Sequence, residues 1–192
     1  MRQTNDLLID TLIQSEALNI QVQKAKDELY HLAHHDLLTN LPNRILFQDR
    51  LTQALDLANR HNHLLTVMFI DLDKFKNVND TYGHKIGDKL LQLVALSLLD
   101  CMRSSDTVCR WSGDEFIILL PQVEAINDVF LFAQKILDKL STPFIIDSNS
   151  ISISGSIGIC INESNDIETL INNADAMMYK AKRSGRNTFE FF

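Results

Sequence analysis

Apolar residues recur along this chain at different periods, and each period predicts a kind of element. Residues 1 to about 35 hold neither Gly nor Pro. A heptad reading puts Leu8, Leu18, Val22, Ala25, Leu29 and Leu32 on one seam, with Thr11 and Ser15 as its polar members. Such a seam predicts an amphipathic helix that either pairs with a copy of itself or folds back on its own domain. Turn-forming residues break the pattern at 36–44, where Pro42 sits among Asp36, Asn40 and Asn43. Helical spacing returns from about 44 to 60 through Leu46, Phe47, Leu51, Ala54, Leu55 and Ala58. The continuous apolar run at 64–70 predicts a strand buried on both faces, and it ends in Asp71-Leu72-Asp73.

Residues 86–101 again have helical spacing. Two short runs, 107–111 and 116–120, read as strands of a hairpin joined by Ser112-Gly113-Asp114-Glu115. A helix over about 124–140 stops before Pro143. Strict alternation over 151–159 predicts another strand, and its glycines suggest close approach by a neighbouring element. A last helix at about 167–183 and a closing strand at 188–191 complete the series. Strands and helices therefore alternate with a hairpin in the middle. That order predicts an α/β (α+β) sandwich, a mixed central sheet with flanking helices, preceded by an N-terminal helix. The expected division is the helix at 1–35 and one domain at 36–192.

Composition narrows the function classes. With 192 residues, 45% hydrophobic and 22% charged, the chain has the makings of an ordinary globular core. Three cysteines, none in CxxC spacing, indicate neither a disulfide framework nor a zinc knuckle. A net charge of −7 and a pI near 5.3 disfavour nucleic-acid binding, which rests on a basic face. They do not exclude a phosphate-bearing small molecule, because Mg²⁺ reconciles carboxylates with phosphates. No apolar run approaches the ~18 residues of a membrane span, and the N-terminus lacks a signal-peptide layout. The expectation is a cytoplasmic protein with no membrane segment.

Two acidic clusters carry the candidate chemistry: Asp71-Leu72-Asp73 after the first strand and Asp114-Glu115 in the hairpin turn. If the hairpin lies beside that strand, the carboxylates converge and repel one another unless a cation joins them. Mg²⁺ typically takes one or two carboxylates plus substrate phosphates, an arrangement suited to activating a hydroxyl and stabilising charge on an attacked phosphate. Taken singly, each acid reads equally as a turn or strand-end residue. Residues 75–88 pack polar and glycine residues together: Lys76 is placed to meet a triphosphate, while Asn79 and Asp88 offer base-reading groups. The plain alternative is a turn at Asn79-Asp80 and a solvated first-turn acid at Asp88. Lys182, Arg183 and Arg186 form a basic helix end, which suits either a helix terminus or a polyphosphate clamp.

These motifs, taken in order, resemble the GGDEF diguanylate cyclase family over roughly residues 33–192. The matching stretches run from Asp36-Leu-Leu-Thr-Asn-Leu-Pro-Asn-Arg44 through Asp71-Leu-Asp-Lys-Phe-Lys76, Asn79-Asp80, Gly83-His84, Gly87-Asp88 and Arg110-Trp-Ser-Gly-Asp-Glu-Phe116. They continue through Ser154-Gly-Ser-Ile-Gly158 and Ala174-Asp175 to residues 182–187. The resemblance implies a fold like that of nucleotidyl cyclases and polymerase palms, and an enzyme joining two GTP into cyclic di-GMP plus pyrophosphate. It implies two Mg²⁺ or Mn²⁺ per site, held by Asp71, the Leu72 carbonyl and Asp114. Asp114 would also act as base on the 3′-hydroxyl, supported by Glu115, with Lys76 stabilising the transition state. Phe75, Asn79, Asp88, Ser112 and Gly113 would contact the substrate, and Lys182 with Arg186 would hold its triphosphate. Two such sites must face each other, so a homodimer is implied, and the N-terminal helix offers a means of forming it. Arg103-Ser-Ser-Asp106 resembles the family's RxxD site for inhibition by the cyclic product; Arg suits phosphate and guanine alike.

The signature departs from the family pattern at Ser112, which stands where its first glycine belongs. If that position needs positive φ, serine costs on the order of 1 kcal/mol. An active enzyme is the expectation, with a catalytically weak or inactive cyclic di-GMP receptor as the alternative. A cyclase for adenine-containing products is a further rival, against which Asp88 argues. A purely structural dimerisation module leaves the acidic clusters unexplained.

Overall fold

The structure, a computed structural model, describes residues 2–162 and 166–192, with the side chains of the first helix described from residue 14 onward. Helix α1 (Arg2–His34) is followed by α2 (Arg44–His61), β1 (Leu64–Asp73), α3 (Phe75–Tyr82) and α4 (His84–Leu99). Then come β2 (Thr107–Ser112), β3 (Glu115–Val123), α5 (Ile126–Ser141), β4 (Phe144–Ile146) and β5 (Asn149–Ile151). Strand β6 (Ser154–Ile161), helix α6 (Ile167–Arg183) and β7 (Thr188–Phe191) close the chain.

Five strands form one sheet in the order β2-β3-β1-β6-β7. Strand β1 is central and antiparallel to both neighbours, while β6 and β7 run parallel, so the sheet is mixed as expected. Successive side chains of a strand point to opposite faces, and β1 follows that rule. Met68, Ile70 and Leu72 enter a core shared with α3, α4 and α5; Leu65, Val67 and Phe69 enter one shared with α2 and α6. The alternation continues past the apolar run, so it puts Asp71 and Asp73 on the α6 side.

Two glycines allow close approach. A Cβ on Gly158 would overlap the α6 backbone at Ala174 and Met178, so α6 lies directly on β6. A Cβ on Gly87 would strike Asn79 and crowd Phe75, so α3 and α4 meet at that point. The glycines of the alternating strand therefore mark a close approach at Gly158.

Two expectations need correction. The stretch around Asn79-Asp80 is no turn but the two-turn helix α3, bounded by Lys74 (φ 58°) and Gly83 (φ 85°); its buried Phe75 and Val78 outweigh the local turn propensity. The single strand read at 151–159 is split. Residues up to Ile151 pair with β4 in a separate hairpin, and the main-sheet strand begins at Ser154. Asp147 and Ser148 both have positive φ (46° and 69°), the backbone of a two-residue hairpin turn, with a weaker sequence signal than Asn-Gly.

Helix α1 does not fold back on the domain. Residues 14–33 are exposed throughout, and Val22 and Leu29 remain 60% and 66% exposed. The Leu8 and Thr11 side chains lie outside the described residues. At its end α1 is tied down by Asn43, whose side chain donates to the Ala33 carbonyl (2.8 Å) and whose N–H donates to that of His34 (2.9 Å).

Candidate active site

The antiparallel register of β1 and β3 makes Asp71 and Glu115 direct cross-strand partners. The Leu72 N–H donates to the Asp114 carbonyl (3.2 Å), which joins the hairpin turn to the end of β1. From the other side α6 brings the Lys182 ammonium to 2.7 Å from the Asp71 carboxylate. Three chain segments far apart in sequence thus converge at one end of the central strand, where Asp71, Asp114 and Glu115 come together with Lys182.

Burial pushes the Asp71 carboxyl upward; Lys182 opposes that shift, while Asp114 and Glu115 add to it by repulsion. Asp114 is also raised, chiefly by burial, with Glu115 contributing. Asp175 on α6 is raised by burial and then by Glu115. Crowded, part-buried carboxylates of this kind favour a positive partner. The donor set fits a hard divalent ion, since Asp71, Asp114 and the Leu72 carbonyl offer only oxygen. Among the described residues no group of three or more His, Cys, Asp or Glu could hold a metal by itself. Mg²⁺ commonly pairs one or two carboxylates with a substrate's phosphates.

The hairpin turn is held from outside. Arg110 donates through Nε and Nη2 to the Gly113 carbonyl (2.9 and 2.8 Å) and through Nη1 to the Asp36 carboxylate (3.1 and 3.2 Å). Gly113 carries the positive φ of the turn, 45°, and Ser112 is not among the residues with positive φ. The backbone cost considered for serine is therefore not incurred. Its hydroxyl instead donates to Glu115 Oε2 at 2.5 Å.

The other sequence candidates divide into groups. Phe75 and Asn79 meet at Gly87, next to Asp88, in the α3–α4 corner. Lys76 is exposed on α3. Arg186 is half exposed beyond the end of α6 and lines a cavity of about 640 Å³ with Lys74 and Asn77. Arg103 and Asp106 are not brought to this site. They precede β2, whereas the signature follows it, a separation of roughly 17 Å along the strand. There Asp106 accepts the Arg103 N–H (2.8 Å), and both line a cavity of about 650 Å³ with Arg50 and His63.

The structure separates Asp73 from Asp71, with which the sequence groups it in one acidic cluster, and it sets Arg44 and Trp111, given no individual role by the sequence, beside the hairpin. Asp73 points into the protein rather than at the acidic cluster, and accepts from the Ser154 and Ser156 hydroxyls (2.7 Å each). Two serines spaced i, i+2, like the two acids, were the available signal. Arg44 stacks over Trp111 at 4.5 Å beside the hairpin, and Trp111 meets Phe69 edge-on.

Comparison with known proteins identifies the family. The family model for the diguanylate cyclase GGDEF domain matches residues 33–188. The bifunctional diguanylate cyclase/cyclic di-GMP phosphodiesterase MucR of Pseudomonas aeruginosa is 43% identical over 93% of this chain, which spans 26% of MucR. The diguanylate cyclase TpbB of the same organism is 39% identical over 94% of the chain, spanning 42% of TpbB. The chain therefore covers less than half of either relative. Among solved structures, the coiled coil and GGDEF domain of DgcB from Caulobacter crescentus, in complex with c-di-GMP, superposes with a TM-score of 0.88 at 28% identity. That match covers 96% of this chain and 99% of that one. The GGDEF domain of TpbB superposes with a TM-score of 0.78 at 38% identity, covering 80% of this chain and 97% of that one.

Proposed function

This chain belongs to the GGDEF family of diguanylate cyclase domains, and from that premise we propose that it condenses two GTP into cyclic di-GMP with release of pyrophosphate. The observation that carries the reading is the convergence of Asp71, Asp114 and Glu115 with Lys182 at the end of β1.

Asp71, the Leu72 carbonyl and Asp114 would hold two Mg²⁺ or Mn²⁺, which when bound supply Lewis-acid stabilisation of the reacting phosphate and lower the pKa of a hydroxyl. Asp114, raised by burial and by Glu115, is suited to accept the proton of the attacking 3′-hydroxyl. Glu115, the cross-strand neighbour of Asp71, would support the same site, and it accepts a hydrogen bond from the Ser112 hydroxyl. Lys182 and Arg186 on one side and Lys76 on the other would neutralise the triphosphate and the charge that develops on it. Phe75, which with Asn79 borders Gly87, would contact the nucleotide, and Asn79 with Asp88 would read guanine, whose N1–H and exocyclic amine both donate. Ser112 and Gly113 would contact the nucleotide along the turn.

One such site binds one GTP, so two chains must present their sites face to face. Self-pairing of the exposed α1 seam would bring the domains together as a homodimer. Arg103 and Asp106 would bind the cyclic product away from the site and restrain turnover.

Incubation of the nucleotide-free protein with GTP and Mg²⁺ or Mn²⁺, with products identified by mass spectrometry, tests the reading. Cyclic di-GMP is expected, and Asp114→Ala is expected to lower its formation by at least about 10²-fold, the scale of general-base loss. Absence of product from demonstrably dimeric protein would overturn the cyclase and favour the receptor. That second reading has one observation in its favour: the Ser112 hydroxyl engages a Glu115 oxygen that the reaction would use.

A further inference from the structure

Asp71 and Asp73 are two residues apart on β1, and the period of the strand puts both on the α6 side. Their surroundings differ completely. Asp71 faces Asp114, Glu115 and Lys182, whereas the Asp73 side chain is only 3% exposed and already fully engaged. Its Oδ2 accepts from Ser154 Oγ (2.7 Å) and from the Asn187 N–H (3.1 Å). Its Oδ1 accepts from Ser156 Oγ (2.7 Å) and lies 4.0 Å from Arg186 Nε. A carboxylate has about four acceptor sites, and four groups address this one. That leaves no open face for a hydrated divalent ion.

Two of the four groups belong to the turn after α6. This turn is unusual: Gly185, Arg186 and Asn187 all have positive φ, 121°, 66° and 46°. For a residue with a Cβ the left-handed region costs roughly 1–2 kcal/mol, so consecutive non-glycine residues there need external support. Asn187 receives it from both ends, its N–H held by Asp73 and its Oδ1 accepting from Ser141 Oγ (3.1 Å). The Arg186 N–H donates to the Ala181 carbonyl (3.2 Å), which ties the turn back to α6. Arg186 thus projects from a backbone whose conformation is held by the Asp73 carboxylate.

We propose that Asp73 is a positioning residue for the phosphate-binding arm. It fixes the left-handed Arg186–Asn187 turn, and through it the guanidinium that meets the terminal phosphates of the nucleoside triphosphate. The proposal rests on the reading of Arg186 as a triphosphate ligand given above. It divides the acid pair of β1 between two tasks, with Asp71 serving the cations and Asp73 the cationic arm. The pairing explains why β6 begins Ser154-Gly155-Ser156: the two hydroxyls supply hydrogen bonds to a carboxylate that β1 buries beside them.

The test uses the full chain and the variant Asp73→Asn, which keeps the size of the side chain and lets the serine hydroxyls turn to accept. Steady-state rates are expected to show KM for GTP raised about tenfold, the scale of a lost charge-assisted hydrogen bond, with kcat changed by less than about threefold. Binding of GMP, which lacks the terminal phosphates, is expected to weaken far less than binding of GTP. Combining Asp73→Asn with Arg186→Ala should be no worse than Arg186→Ala alone, because both act through one guanidinium. Ser154→Ala, a milder variant should Asp73→Asn fold poorly, should move the same quantities in the same direction by a smaller factor. Hydrogen exchange of the Asn187 amide, read by NMR without nucleotide, should accelerate in both.

A fall in kcat with an altered metal-concentration dependence would overturn the proposal by making Asp73 a metal ligand. Unchanged Asn187 exchange in Asp73→Asn would overturn it by showing that the turn does not need the carboxylate. If instead the amide exchange accelerates but Arg186→Ala leaves GTP affinity intact, the triphosphate role of Arg186 fails. The positioning proposal then falls with it, while Asp73 keeps its hold on the turn.

Discussion

The Arg110 guanidinium bridges the Asp36 carboxylate and the Gly113 carbonyl, so one side chain joins the turn after α1 to the turn that carries Asp114. Burial alone would raise the Asp36 carboxyl, but hydrogen bonds from Thr39 and Arg110 outweigh it and hold the group below its ordinary value. An acid with a depressed folded-state pKa contributes stability above its unfolded pKa and loses it as pH falls through the folded value. Wild-type stability should therefore include a component that is full at neutral pH and disappears below the usual carboxylate range. Asp36→Asn should lower the melting temperature at neutral pH and flatten the profile on acidification. Arg110→Ala should cost about 2 kcal/mol, the scale of hydrogen bonds to charged groups, and reduce cyclase activity by loosening the hairpin. Urea unfolding from about pH 7 to pH 3 checks the sign.

Ser112→Gly separates backbone from side-chain effects in the signature. Since Ser112 has no left-handed backbone to relieve, glycine there should destabilise by ~0.5–1 kcal/mol through chain entropy. Product formation should rise, because Glu115 Oε2 is released from the serine hydroxyl. A gain in stability on chemical denaturation would contradict the backbone assignment, and a loss of activity would mean that the hydroxyl helps to position Glu115.

The combined change Val22→Glu and Leu29→Glu places charges on the exposed seam of α1 while leaving the domain core untouched. Analytical ultracentrifugation should show a shift from dimer to monomer. Product formed per chain should then fall most steeply at low protein concentration, as expected if two sites must meet. Unaltered sedimentation would remove α1 as the dimer contact.

Arg103→Ala should weaken cyclic di-GMP binding by at least about tenfold, as expected for loss of a charge-assisted contact. Progress curves should then stay linear for longer as product accumulates. Calorimetric titration of the product distinguishes this from a surface arginine without a ligand, for which nothing would change.

Gly158→Ala tests the seat of α6. The added Cβ meets helix backbone rather than a flexible side chain, so the helix must move, at a cost of about 3 kcal/mol on the scale of core overpacking. The shift also carries Lys182 away from Asp71, and activity should fall with stability. Denaturant midpoints with parallel rate measurements read both effects.

Much of the fold was legible in the chain because local pattern and tertiary burial agree for most elements. The 64–70 run, the helical spacing at 44–60 and 167–183 and the hairpin around 112–115 each match an element of the structure. Helix α3 was not legible, because Asn79-Asp80 signals a turn locally and only the burial of Phe75 and Val78 overrides it. The break within 149–161 was hidden for another reason. Alternation records which face is buried, not which strand supplies the hydrogen bonds, so β5 and β6 read as one.

By itself, the sequence determined the acidic clusters, their order along the chain and the family that this order identifies, since those depend only on residue type and spacing. Tertiary structure alone decided how the acids are used. Asp71 and Asp73 are indistinguishable by type, spacing and strand face, yet the hairpin sets one beside Asp114 and Glu115, while β6 and the turn after α6 bury the other under three hydrogen-bond donors with the Arg186 guanidinium alongside. Likewise only the φ angles of the turn remove the backbone objection to Ser112. For the acid pair the physical reason is that a side chain's chemistry is set by the groups that share its volume, and those that hold Asp73 come from segments more than 80 residues away in sequence.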